Sequence, residues 1–405
     1  MPRLIFANRY FFPDHSATSQ IVSDLAFHLA ASGREVHAVT SRQSYENPQA
    51  ALAGRERING VEVHRVASTQ FGRSSLPGRS LDYLSFYGSV RGKLAELAGR
   101  GDVVIVKTDP PLLAVAVSGP VRRNGARLVN WLQDIYPETA VALEVPLIRG
   151  PVAWGLTRLR NRSLRRAEAT VVVGELMARH VALGGAPSDR IHAIANWCND
   201  EDIRPLAADD NPLRRQWNLQ EKFVVGYSGN LGRAHDFGAI LAAAEALRDD
   251  PRFVFLMIGG GKQFEALAAA VASRGLGGSF LLKPYQDRSQ LRYSLSLPDV
   301  HWLSLNPRLE GLLLPSKFYG IAASGKPMIF LGDADGEVAR LVRRHACGVT
   351  IAPGDGRQLA DTLRQWSNAP AALAEMGAKA RAMLDAHYSR KRELARWRAL
   401  LDTIA

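Results

Sequence analysis

In the stretch EGLLLPSKFYGIAASGKP, Glu310 to Pro327, a carboxylate and an ammonium stand seven positions apart, Glu310 and Lys317. Ser316 precedes a run of helix-forming residues and is the expected cap of a helix that begins at Lys317. The helix dipole disfavours a cation in a first turn unless an anion is held there as well. An anion approached by Leu314, Pro315 and Ser316 would satisfy both Lys317 and the free amides of that turn. Glu310 would then meet hydroxyl groups beside it. The plainer alternative is a solvated Lys317 and a surface Glu310.

Other strand-end segments carry similar chemistry. In GYSGNLGRAHDF, a strand ends near Tyr227 and the chain turns through Gly229, Asn230 and Gly232. A helix is expected to start near His235 or Asp236. Glycines let backbone approach a ligand, and Arg233 offers a charge-assisted partner for an anion. FLMIGGGKQ repeats the pattern at Gly259 and Gly260. By itself each turn is equally an ordinary strand-to-helix connection. Near the N-terminus, FFPDHSATSQ places Asp14, His15, Ser16 and Thr18 after the first strand, and WLQDIYPE places Asp134 and Tyr136 after a later one. Asp14, His15 and Asp134 are candidates to orient or deprotonate a hydroxyl. Helix capping by Asp14 and a turn at Asp134 before Pro137 are the alternatives. Asp333 and Asp335 in GDADGE have Asp-x-Asp spacing but read as a turn, so no metal is expected.

These residues need a scaffold that brings strand ends together. RLIFANRYF (Arg3–Phe11), EVHAVTS, VEVHRVAS, DVVIVKT, RLVNWLQDI and ATVVVG alternate with helix-length segments such as TSQIVSDLAFHLAASG, in which Thr18 or Ser19 is the expected cap. After the polar stretch 200–211 a second series follows: FVVGYSG, FVFLMIG, SFLLKPY, VHWLSL, KPMIFLG and GVTIAP. Short β-branched runs separated by helices indicate parallel strands with crossovers. The expected class is α/β with two doubly wound, Rossmann-like halves, residues 1–198 and 199–384, joined near 196–215. Ligands in such sheets sit at the carboxyl ends of strands.

Composition sets outer bounds. A chain of 405 residues exceeds one ordinary core. With 46% apolar and 22% charged residues it is of the soluble globular type. Cys198 and Cys347 stand far apart, which argues against a disulfide framework or a structural zinc site. Neither a signal segment nor an apolar run of membrane-spanning length is apparent, so a cytoplasmic protein is expected. The net charge of +12 favours a polyanionic partner, although only nine of the 51 basic residues are Lys and the arginines equally suit base-composition drift. Aromatic RNA-binding motifs and finger spacings are missing, so nucleic acid is not the expected partner. Arg158, Arg162 and Arg165 form a helical stripe, and Arg73, Arg79 and Arg91 mix with Leu81, Tyr83, Leu84, Phe86 and Tyr87. Such surfaces suit anionic lipid, unless the aromatics are core and the arginines merely solvated.

Taken together, FFPDHSATSQIVSDLAFHLAASGREVHAVTS, NWLQDIYPE, IANWCNDEDIRPL, GYSGNLGRAHDF and EGLLLPSKFYGIAASGKP resemble the GT-B glycosyltransferases of the family-four class. Within that class the chain is similar to the branch that builds capsule, O-antigen and colanic-acid-type polysaccharides. The resemblance implies a nucleoside-diphosphate-sugar donor in the C-terminal half and a polyprenyl-diphosphate-linked acceptor in the N-terminal half. It also implies retention of configuration, no cofactor, and a C-terminal helix (about 385–405) crossing back to the first domain. The expected enzyme is a hexosyl- or N-acetylhexosaminyl-type transferase on the inner face of the cytoplasmic membrane. Glu310 matches the first acid of the family's acid-x7-acid motif. The second falls at Phe318 or, aligned on Ala-Ser-Gly-Lys-Pro, at Gly320, so Glu337 is considered as its substitute. The family's Arg and Lys of the first C-terminal turn fall at Asn230 and His235, which leaves Arg233 and Lys317 as the cations for diphosphate. A nucleotide-sugar epimerase or hydrolase and a non-catalytic phosphate- or lipid-binding scaffold are the alternative functions.

Overall fold

The computed structural model describes residues 2–404 except 46, 48, 50 and 73–75, so Arg73 lies outside the described residues. The chain divides into two compact units, residues 1–195 with 393–405 and residues 196–392.

Among its described residues the first unit holds eight strands: β1 (Leu4–Ala7), β2 (Val36–Ser41), β3 (Arg55–Ile58), β4 (Val61–Val66), β5 (Val103–Lys107), β6 (Arg127–Trp131), β7 (Ala169–Val172) and β8 (Ile191–Ala193). Their order is β3-β4-β2-β1-β5-β6-β7-β8, parallel except for β3 against β4. Chain direction through the sheet reverses between β1 and β5, where Leu4 pairs with Val103 and Ala7 with Val106. Strands β1, β2, β5 and β7 are buried along their whole length, as expected of parallel strands covered on both faces. Ile5, Val39, Val104 and Val106 pack there with Phe86, Val90 and Leu94 of the helix Leu76–Leu97.

The second unit holds β9 (Phe223–Asn230), β10 (Phe253–Gly260), β11 (Phe280–Lys283), β12 (Val300–Ser304), β13 (Met328–Leu331) and β14 (Gly348–Ile351). All are parallel, in the order β11-β10-β9-β12-β13-β14, with the reversal between β9 and β12. Tyr227, Phe255, Trp302 and Ile329 anchor its core.

Several boundaries differ from expectation. β1 ends at Ala7, because beyond it Asn8 to Asp14 fold into a loop in which Arg9 N donates to Asp109 O. The first helix spans Ala17–Ala31 with Ser16 at its cap position, ahead of the expected Thr18 or Ser19. β3, with sequence RERI, carries no apolar run and lies at the sheet edge with half its residues exposed. The segment grouped with the first unit begins at 393, later than about 385, since Arg390 N is still tied to Asp200 Oδ2 of the second unit. In the closing helix, Arg390–Ile404, Trp397 packs on Trp131 with ring centroids 4.5 Å apart, and buried Glu393 accepts from Ala195 N at 3.0 Å. Among the described residues no helix is long and apolar enough to cross a membrane.

Candidate active site

At the reversal of the second sheet, the ends of β9 and β12 bring His235 and Lys317 together. His235 Nδ1 lies 2.7 Å from Ser304 O, so this nitrogen carries the proton and donates. That leaves Nε2 as an acceptor, 3.2 Å from Lys317 Nζ, which donates to it. The ammonium also lies 5.2 Å from the centroid of the Tyr227 ring. Burial and the neighbouring Lys317 push His235 down to about 3, so it is neutral at pH 7. Burial alone lowers Lys317 to about 8, and no carboxylate contributes to hold its charge. The result is a half-buried, mostly protonated ammonium whose protein partners are a neutral imidazole and a ring.

The glycines explain how the lysine reaches this position. At Gly229, with φ +124°, an added Cβ would stand 2.8 Å from Lys317 Cε. At Gly259, φ is +135° and a Cβ would lie 2.1 Å from Gly229 O. Only residues without Cβ let β9 and β10 end this close with Lys317 lying over them. Asn230, Gly232 and Gly260 complete the turn, Leu231 N donating to Gly260 O and Tyr227 Oη to Asn230 O. The helix expected at His235 or Asp236 begins at Gly238, because Asp236 Oδ1 first accepts from Gly238 N. Arg233 is exposed on the intervening turn.

Ser316 does not cap the helix Lys317–Ala323, which corrects the expectation. Its backbone is already helical (φ −64°, ψ −19°), whereas a capping hydroxyl needs an extended residue. Leu314 is half-buried and Pro315 buried just before it.

Glu310 follows β12 and turns towards the start of the helix Glu337–His345. Its Oε2 accepts from Glu337 N at 3.2 Å, and a Cβ on Gly336 would strike Oε1 at 2.2 Å. Burial, reinforced by Asp333 and Glu337, raises this carboxyl to about 7 against the Glu337 amide and Arg340. Oε1 is buried with no hydrogen-bond partner among the described residues. Glu337 is thus joined to Glu310 through its backbone amide. Asp333 Oδ1 accepts from Asp335 N, the turn expected from sequence.

The first unit treats its candidates differently. Asp14 is buried, and its carboxylate accepts from Ser16 N and Oγ and from Tyr45 N. These three donors tie Asp14 into the loop ahead of the first helix. His15 is exposed, while Thr18 O receives Lys107 Nζ at 3.3 Å. Asp134, by contrast, lines a pocket with Tyr136, Lys107, Thr108 and Asn130. Burial raises it to about 6, opposed by a Thr108 hydrogen bond and assisted by nearby Asp109. Burial also raises the Tyr136 phenol. Sequence reasoning missed Tyr227, Ser304 and Gly336. Gly336 adjoins an acid already singled out and Tyr227 stands two residues before Gly229, whereas Ser304 had no local signal.

Comparison with known proteins fits this arrangement. Residues 16–197 match the family described as Glycosyl transferase 4-like domain, and residues 209–383 match Glycosyl transferases group 1. The probable glycosyltransferase WbjE of Pseudomonas aeruginosa is 27% identical over 303 residues, 73% of each chain. The putative colanic acid biosynthesis glycosyl transferase WcaI of Escherichia coli K12 is 24% identical over 377 residues, 90% of this chain and 92% of that one. The crystal structure of Anabaena HepE in complex with UDP matches over the whole of both chains with a TM-score of 0.72 at 14% identity, a likeness of fold. The chain belongs to the GT-B glycosyltransferases of the family-four class.

Proposed function

We propose that this enzyme transfers a sugar from a nucleoside-diphosphate-sugar to a polyprenyl-diphosphate-linked saccharide, with retention, during synthesis of a bacterial surface polysaccharide. The observation that carries the reading is the Lys317 ammonium, held at the β9–β12 reversal against a neutral His235 with no carboxylate to neutralise it. Such a preorganised cation suits the negative charge that develops on a departing diphosphate. Exposed Arg233, on the turn that also carries His235, adds a second cation. Glu310 keeps an unsatisfied buried oxygen, suited to a hydroxyl of the transferred sugar. HepE, which has this fold, was crystallised with UDP, and WcaI is named for colanic acid biosynthesis, which supports both the donor class and the polymer.

The membrane-facing part of the reading is supported by the helix Gly150–Arg166. It exposes Val152, Trp154 and Leu159 beside Arg158, Arg162 and Arg165, with Arg158 stacked 4.4 Å from the Trp154 ring centroid. Arg162, Arg122 and Arg165 crowd Arg166 enough to lower its proton affinity. Clustered like charges next to exposed apolar groups suit an anionic lipid surface.

Calorimetric titration with UDP tests the donor site. Affinity is expected to weaken above pH 8, as Lys317 loses the proton that the diphosphate needs. Lys317→Ala is expected to weaken binding and abolish that limb. A pH-independent affinity that is equal in both proteins would refute the assignment.

A further inference from the structure

The pocket beside Asp134 holds more polar capacity than the chain uses. Its enclosed cavity is about 30 Å³, and about 400 Å³ when space open to solvent is counted, between the ends of β5 and β6 and the helices Leu113–Arg123 and Gly150–Arg166. Among the described residues, three in the lining keep a buried hydrogen-bonding atom with no partner: Asn130 Nδ2, Arg160 Nη1 and Ser163 Oγ. Their residues are 1%, 6% and 6% exposed. Buried donors in this state are uncommon, because each has given up water without replacement.

The surrounding bonds fix what the donors are free to do. Arg160 Nη2 donates to Glu138 Oε1 at 2.6 Å and Nε to Asn161 Oδ1 at 2.7 Å, so the guanidinium is immobilised and part of its charge is already balanced. Glu138 behind Arg160 balances its charge, and burial lowers the proton affinity of Lys107 far below the ordinary value, opposed only by Asp109. A fully anionic ligand such as a diphosphate is therefore poorly matched. An oxygen acceptor of a polar ligand is well matched, since donors outnumber acceptors among the unpaired atoms. Leu112, Leu113, Val115 and Leu132 of the lining suit the apolar part of such a group.

We propose that this pocket receives the acceptor sugar through a carbonyl-type oxygen carried on its ring, an N-acyl amide or a uronic carboxylate, bound by Asn130, Arg160 and Ser163. This rests on the transferase reading above and specifies the acceptor. Asp134, in the same pocket, then faces the hydroxyls of that sugar.

The test measures binding of three methyl glycosides to the full chain with UDP present, by saturation-transfer NMR and titration: N-acetylglucosaminide, glucuronide and plain glucoside. At least one of the first two is expected to bind ten or more times better than the glucoside, and which one does so separates amide from carboxylate. Ser163→Ala is expected to weaken the favoured glycoside by about two- to tenfold, the loss of one hydrogen bond. Asn130→Asp, of nearly the same shape, should weaken the glucuronide more than the acetamide because it adds a negative charge. UDP binding should be unaltered in both variants. Equal binding of all three glycosides, binding of none, or no change in either variant overturns the proposal. If UDP still binds in that case, the transferase reading stands without it; if UDP fails too, that reading falls with it.

Discussion

The two sheets reverse direction in the same way, between β1 and β5 and between β9 and β12, yet they use the resulting strand ends differently. In the second unit the groups at the reversal are held by one another and stay available: Lys317 against His235, and Glu310 with Oε1 unpartnered. In the first unit the carboxylate nearest β1, Asp14, is spent on three loop donors, and the available acid is Asp134, displaced to the end of the neighbouring β6. Topology thus places polar residues at a reversal, but local hydrogen bonding decides which of them remain free for chemistry. A carboxylate with both oxygens satisfied by loop donors is scaffold; one kept buried and short of donors has its proton affinity raised and stays reactive.

This contrast can be broken by substitution. The largest effect is expected for Lys317→Ala, a loss of about 10²–10³ in kcat with the fold retained, the typical result of removing one preorganised donor. Retained transfer would show that the second unit's arrangement is only structural. Asp134→Asn is expected to cost about 10² in kcat, the lower end for a proton-transfer group, and to remove a limb in kcat/KM that rises through pH 6 in the unaltered enzyme. Gly259→Ala should cost about 1–3 kcal/mol in unfolding free energy, because a residue with Cβ has to leave φ +135° or displace Gly229. Asp14→Asn should cost about 1–2 kcal/mol by turning an amide donor against a loop N–H, while kcat per folded molecule is unaltered. A large kcat loss at normal stability would erase the distinction between the two acids.

The finest test concerns Glu310. Its folded pKa, about 7, exceeds the ordinary value near 4.5, so the folded protein holds the extra proton and stability falls as pH rises between those values. Glu310→Gln removes this dependence. The Tm of the variant should gain on that of the unaltered protein between pH 5 and pH 8 and level off above; a constant difference would show that the carboxyl is not raised.

Most of the architecture could be read from local pattern, since parallel strands buried on both faces leave unbroken apolar runs such as VVIV and FVFLMI. RERI escaped because an edge strand with exposed residues has no such run, and IHA because three residues carry too little pattern. At the site, the strand-end glycines and both charged residues, Glu310 and Lys317, were visible as types. Their partners were not: Gly336 meets Glu310, and Ser304 meets His235, only after distant segments pack together. Arg160 illustrates the limit best. It sits among exposed arginines at 158, 162 and 165 and looks like one more solvated cation, yet the helix turns it inward onto Glu138. The expected cap at Ser316 failed for a related reason, because residue type fixes the capacity to cap but backbone angle fixes its use.

The closing helix gives the first unit a noncontiguous pedigree. A ribosome releases residues 1–195 well before residues 393–404 emerge, and until then the Trp131 face has no Trp397 and the Ala195 amide has no Glu393. The second unit, continuous from 196 to 392, is free to mature on its own schedule. Newborn chains therefore complete their earlier half last, so a premature stop near the end of translation would injure the portion made first.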